Sequence, residues 1–174
     1  MEIHLSKKKL VKHIIVSLLF MAGGLWMLIT QPQTSNPLFN DPLIKNGAAI
    51  IGILFGPIGI YMFIKKLRDK RPGLIIDETG ITDNSSGMPT GQILWKDINK
   101  ITETKIFRQK FLMLVVQNPE DYINRQPNAI KRKGMMSNFK HFGSPISISV
   151  NALDCKFDEL KKILEKGLAD FKKR

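Results

Sequence analysis

Residues 47–64 read GAAIIGILFGPIGIYMFI, eighteen residues without a charge. As an α-helix rising about 1.5 Å per residue, the run covers about 27 Å, close to the roughly 30 Å hydrocarbon core of a bilayer. A second apolar run, IIVSLLFMAGGLWMLIT at 14–30, precedes it, and Leu10 and Val11 extend that run if Lys12 snorkels its ammonium to head-group level. Basic clusters edge both runs, which a core helix of a water-soluble protein does not need. The expectation is two transmembrane helices, at 14–30 and 47–64, and a multi-pass location in the cell membrane.

Orientation follows from the cations, because short cytoplasmic flanks accumulate Lys and Arg. Lys7, Lys8, Lys9 and Lys12 stand before the first run, and Lys65, Lys66, Arg68, Lys70 and Arg71 after the second. The connector at 31–46 has only Lys45, offset by Asp41. Both termini are therefore expected in the cytoplasm, with the connector outside. A cleaved signal peptide is the rival reading of the first run. That run is long for such a segment and leads into Gln31, Pro32 and Gln33 without a small-x-small cleavage site. Pro32, Pro37 and Pro42 resist helix in the connector, so the two spans read as an antiparallel hairpin.

Ala48, Gly52 and Gly56, spaced by four, share one helix face and let another backbone approach closely. Ala22, Gly23 and Gly24 offer a similar patch in the first span. Packing within one hairpin is favoured over dimerisation, since small-xxx-small patterns are frequent in membrane helices generally. Pro57 is expected to bend the second helix. Neither span holds Asp, Glu or Arg, the groups a transporter or proton relay would bury in mid-membrane.

Residues 1–71 thus read as an anchor and 72–174 as one domain with one core, opened by the break at Pro72-Gly73. Residues 74–77 and 81–83 form a hairpin whose turn, Glu78-Thr79-Gly80, supplies a glycine for a positive φ. Ser85 and Gly87 belong to a loop. Strands follow at 92–95, 102–107 and 111–116, with Trp95, Ile98 and Ile101 spaced as a helical turn or irregular corner. Asn118-Pro119-Glu120-Asp121 opens a short helix with a side-chain cap. After a long polar segment, 145–150 alternates Ile146, Ile148 and Val150 with Ser147 and Ser149 as a strand with one wet face. A final helix carries Leu160, Ile163, Leu164, Leu168 and Phe171 on one stripe, weakened slightly by Gly167. The pattern is an α+β or mainly β domain: a rolled antiparallel sheet with a helical plug.

Composition excludes several classes. With one cysteine among 174 residues no intrachain disulfide framework exists, and Asp154 beside Cys155 disfavours a thiolate. His4, His13 and His141 lack metal-ligand spacing, and nucleophile-elbow, phosphate-loop and dinucleotide signatures are absent. No catalytic, cofactor or metal site is expected. The net charge is +12, but ten of the 27 basic residues lie in the first 71 against three acids, so much of the bias is membrane topology.

Asp77-x-x-Gly80-Ile81 followed by Ile93-x-Trp95-x-Asp97-Ile98 resembles the opening of bacterial pleckstrin-homology-like domains, many of which follow one or two membrane helices. The whole chain is similar to a family of small bacterial membrane proteins with two N-terminal transmembrane helices and a pleckstrin-homology-like cytoplasmic domain. The resemblance implies a curved sheet of about seven strands capped by the C-terminal helix, and no activity. One departure matters. Phosphoinositide-binding members place several Lys and Arg around the first hairpin, where this chain has Asp77, Glu78 and Asp83. Trp95 and Asp97 match the pattern, and a core aromatic with a turn-bonding carboxylate accounts for them better than a ligand does.

The segment at 125–141 interleaves Arg125, Lys131, Arg132, Lys133 and Lys140 with Ile130, Met135, Met136 and Phe139. A solvated loop with a few residues tucked into the core is the first reading, contact with anionic lipid the second, and a protein or nucleic-acid partner the third. Nucleic acid comes last because no recognition helix or paired aromatic platform accompanies the charge. The expected function is a non-enzymatic, membrane-anchored adaptor that binds a protein partner or its own membrane. The alternative is an anionic-lipid sensor using Lys131, Arg132, Lys133 and Lys140.

Overall fold

A computed structural model describes residues 1–86 and 89–174. Gly87, expected in a loop with Ser85, lies outside the described residues. The chain divides into two compact units, Lys7–Lys70 on the one hand and Met1–Ser6 with Arg71–Arg174 on the other.

The first unit holds α1 (Lys7–Thr30), α2 (Pro37–Asn40) and α3 (Pro42–Leu67). Gln31, with φ +44°, ends α1. The connector is more helical than its prolines imply. Pro37 and Pro42 each occupy a first-turn position where the missing N–H costs nothing. Asn36 caps α2 by accepting from Leu38 N at 3.1 Å. Asp41 caps α3 through Leu43 N at 2.7 Å and Ile44 N at 3.3 Å. Pro57 lies inside α3, which continues past it. Both α1 and α3 are long and apolar enough to cross a membrane. Only 6% of the apolar window of α1 and 17% of that of α3 is buried, whereas a core helix of a water-soluble protein is mostly covered.

The two long helices pack on small residues. A β-carbon at Gly24 would lie 2.7 Å from the Ala49 carbonyl oxygen, one at Gly52 2.9 Å from that of Phe20, and one at Gly56 2.7 Å from Met21 Cβ. Gly52 and Gly56 thus meet α1 within the same chain, and Ala49 is buried beside them. Ala48, expected to pack with Gly52 and Gly56, is instead exposed, as is Gly23.

The second unit contains a four-stranded antiparallel sheet, ordered β1 (Glu2–Ile3), β2 (Leu74–Ile76), β3 (Gly80–Asp83) and β4 (Gly91–Leu94). A three-stranded antiparallel sheet follows, ordered β5 (Ile98–Ile106), β6 (Gln109–Val116) and β7 (Ile146–Ile148). A single 3₁₀ turn, Trp95–Asp97, links the sheets at the expected irregular corner. Glu2 lies opposite Ile75 and Ile3 opposite Leu74, so the first residues of the chain, grouped by sequence with the anchor, pair with the sheet. Three helices complete the unit: α4 (Pro119–Asn124), α5 (Ala129–Phe142) and α6 (Phe157–Lys172).

The core joins Leu74, Ile81 and Ile93 of the first sheet to Leu112, Leu114, Ile146 and Ile148 of the second, with Leu160, Leu164 and Leu168 of α6 packed against them. Two glycines and one asparagine act differently from expectation. Gly80 does not have positive φ; it is required because a β-carbon would collide with the Ile93 carbonyl oxygen across the β3–β4 pair. Gly167, far from merely weakening α6, admits the Trp95 ring, whose Cζ2 would be 2.8 Å from a β-carbon there. Asn118 makes no side-chain cap; its amide donates to Asp121 at 3.2 Å instead.

Candidate functional site

The largest departure from the sequence reading falls on the basic segment. Instead of a solvated loop, α5 occupies most of 125–141. Its start is set by Asn128, whose side chain accepts from Ile130 N at 2.8 Å and Lys131 N at 3.4 Å. Its end is set by Gly143 at φ +71°, the left-handed conformation that closes a helix. Lys140 and His141 in the last turn complement the negative end of the helix dipole. Inward, Met135 is buried and Phe139 packs on the core.

The cations divide into two groups. Arg125 stacks on the Tyr122 ring at 4.0 Å and donates to the Gln92 carbonyl. Lys131 donates to the Pro89 carbonyl, and burial holds its ammonium below the usual lysine range. Arg132 donates to the carbonyls of Gln126 at 2.6 Å and Pro127 at 3.1 Å. All three satisfy backbone acceptors: Arg125, at the end of α4, reaches β4, Lys131 ties α5 to the loop before β4, and Arg132 ties it to the connection from α4. Lys133 and Lys140 are exposed, and on the same outer side of α5 Ile130 is 73% and Met136 37% exposed. Ile130, Lys133, Ser137 and Lys140 recur at three- and four-residue steps, so the outer face is one stripe. The helix contains no acidic residue.

Against the inner edge of α5 lies an open cleft of roughly 300 Å³, lined by Lys131, Met135, Asn138, Phe111, Ser147 and Ser149 among others. Asn138 donates to Ser147 Oγ at 3.3 Å across it.

The residues around the first hairpin are engaged in structural contacts. Asp77 accepts from Thr79 Oγ1 at 2.6 Å, Thr79 N at 2.8 Å and Gly80 N at 3.0 Å. The Thr79 hydroxyl foremost, with these N–H groups, holds its carboxyl below the ordinary range. Trp95 is buried, and its ring N–H donates to the Asp77 carbonyl at 2.8 Å. Asp97 is buried and accepts from the Tyr122 hydroxyl at 2.7 Å, which in turn accepts from Leu94 N at 3.1 Å. Burial, then the Asp97 hydrogen bond, pushes the Tyr122 hydroxyl up to about 12.

The remaining reactive side chains are scattered. Cys155 packs partly buried against the core. His13 stacks on Phe63 with ring centres 4.9 Å apart, while His141 Nδ1 lies 2.8 Å from the Ser137 carbonyl. Among the described residues, no three His, Cys, Asp or Glu side chains group as a metal site. No protein-family model, curated protein or solved structure matches the chain.

Proposed function

We propose that this chain is a membrane-anchored, non-enzymatic binding module: a two-helix hairpin that holds a pleckstrin-homology-like domain at the cytoplasmic face, with both termini cytoplasmic. The observation that carries the reading is the pairing of Glu2 and Ile3 with Ile75 and Leu74, because these strand partners lie on either side of the two apolar helices in sequence. A sheet cannot be hydrogen-bonded across a hydrocarbon core, so the helices between its partners must cross an even number of times. The basic clusters flanking both helices favour the cytoplasmic side for that sheet.

The contact surface we assign is the outer stripe of α5. Lys133 and Lys140 with Ile130 and Met136 combine charge and apolar anchors in a helix without acids, which fits an anionic surface on a protein partner. A photo-crosslinking residue placed at Lys133 or Lys140 of the full-length chain, in its own membrane, tests this. Discrete protein adducts at both positions, lost on Ile130→Asp, support it. Absence of any adduct at either position refutes it. Adducts to lipid alone would favour the second reading, an anionic-lipid sensor, to which the same stripe is suited.

A further inference from the structure

The turn joining β5 to β6 is built in an unexpected way. Ile106 pairs with Gln109, leaving Phe107 and Arg108 as a two-residue loop. Phe107 stands at φ +53°, a conformation that glycine or asparagine fills readily and a bulky aromatic adopts rarely. Its side chain is 96% exposed, the most exposed of the large hydrophobic residues described. A turn selected only for folding would place a small polar residue there.

The surroundings of that ring are basic. Lys105 and Arg108 are exposed on either side of it, and Lys110 follows, partly engaged by Glu103 at 3.0 Å and lying over the Phe157 ring. Ile106 and Phe111 add apolar surface next to Phe107 around a shallow hollow. The tip also projects beyond its sheet: β7 pairs with Leu112, Met113 and Leu114, so among the described residues no third strand lies beside 105–111.

An exposed aromatic flanked by cations is the side-chain pairing found at a bilayer interface, where rings sit at head-group level and Lys and Arg reach the phosphates. The chain also restricts what this tip can meet. Helix α3 ends at Leu67 and the sheet unit begins at Arg71, a linker of only a few residues, with a reach of about 3.5 Å each. If α3 spans a membrane, the unit that carries this tip is tethered to that membrane and meets it at high effective concentration. We propose that the Phe107–Arg108 turn inserts its ring into the head-group region of the anionic membrane that holds the helices, as a contact additional to the anchor. This rests on the membrane reading above.

The test uses the full chain in nanodiscs of phosphatidylcholine, with and without phosphatidylglycerol. In a Cys155→Ala background, single nitroxide labels are placed at Phe107→Cys, at the exposed Asn124→Cys and at Phe55→Cys in α3. Collision with oxygen is compared with collision with a water-soluble nickel chelate. The expected result is a label at 107 shielded from nickel relative to 124, more so with phosphatidylglycerol, and loss of that shielding in Lys105→Glu/Arg108→Glu. A label at 107 as open to nickel as that at 124 in both discs, with 55 shielded, overturns the tip contact and leaves the anchor standing. A label at 55 open to nickel overturns the membrane reading, and the tip contact with it.

Discussion

The Trp95 ring lies across the backbone of Gly167 so closely that a β-carbon on that residue would come within 2.8 Å of Cζ2 and 2.9 Å of Cη2. The corner between the two sheets is thus keyed into the C-terminal helix. Trp95 contributes from both sides, through this packing and through its 2.8 Å hydrogen bond to the Asp77 carbonyl.

Gly167→Ala should therefore destabilise the domain although alanine favours helix by about 1 kcal/mol. Overpacking a fixed ring costs about 1 to 3 kcal/mol, so a net loss of about 1 kcal/mol is expected in thermal unfolding followed by circular dichroism. Trp95→Phe alone should also destabilise, and the two substitutions together should cost less than their sum, because the smaller ring gives the new methyl room.

Tyr122→Phe removes the hydroxyl that serves both buried Asp97 and Leu94 N, at a cost of about 1 to 3 kcal/mol near neutral pH. The pH dependence has a definite sign. In the folded chain this hydroxyl is pushed up to about 12, above its ordinary value of 10.0, so the folded state keeps the proton longer than the unfolded one. The associated stability is complete below about pH 10 and is lost as pH rises toward 12. Unfolding titrations should show a steeper alkaline loss for the parent chain than for Tyr122→Phe, the difference vanishing below pH 9 or so.

Helix packing in the hairpin should discriminate between neighbouring small residues. Gly24→Ala, Gly52→Ala and Gly56→Ala each force a β-carbon into an atom of the facing helix and should loosen the pair by about 1 to 3 kcal/mol. Gly23→Ala meets nothing within 4 Å and should be nearly neutral. Protease accessibility of the connector in detergent would register the contrast.

Substitutions in the basic segment should separate by role. Lys131→Met, which keeps the apolar stem but removes the donor to the Pro89 carbonyl, should lower domain stability by about 1 kcal/mol. Lys133→Gln read with the crosslinker at 140, and Lys140→Gln read with it at 133, should leave thermal unfolding within about 0.5 kcal/mol while reducing the proposed crosslinking.

Much of the layout was legible because its signals are long or periodic. The two apolar runs, the Ile146-Ile148-Val150 alternation and the Leu160-Leu164-Leu168 stripe each recur often enough to name their element. Helix α5 is hard to read from sequence because its charges are spread around it and Gly134 interrupts it. Asn128 and Gly143, which cap it, are signals the sequence does contain. Strand β1 is two residues long and has no period at all; its place follows from pairing with Leu74 and Ile75. The roles of Gly80 and Gly167 depend on backbone and ring atoms brought in from distant positions, Ile93 and Trp95, which local pattern does not reveal. Likewise, five cations read as one cluster, yet Arg125, Lys131 and Arg132 bond carbonyls that folding alone brings within reach. The exposure of Phe107 was hidden by its fit to an alternating strand.

A two-helix anchor with both termini in the cytoplasm leaves a sided pattern that thiol labelling reads out. In a Cys155→Ala background, single cysteines at Glu2, Ser35 and Lys173, all at exposed positions, are treated with a membrane-impermeant maleimide in intact cells and after permeabilisation. Ser35→Cys is expected to react in intact cells, whereas Glu2→Cys and Lys173→Cys react only once the membrane is opened. Labelling of Glu2→Cys and Lys173→Cys on opposite sides, or recovery of the chain without membrane, would contradict that anchor.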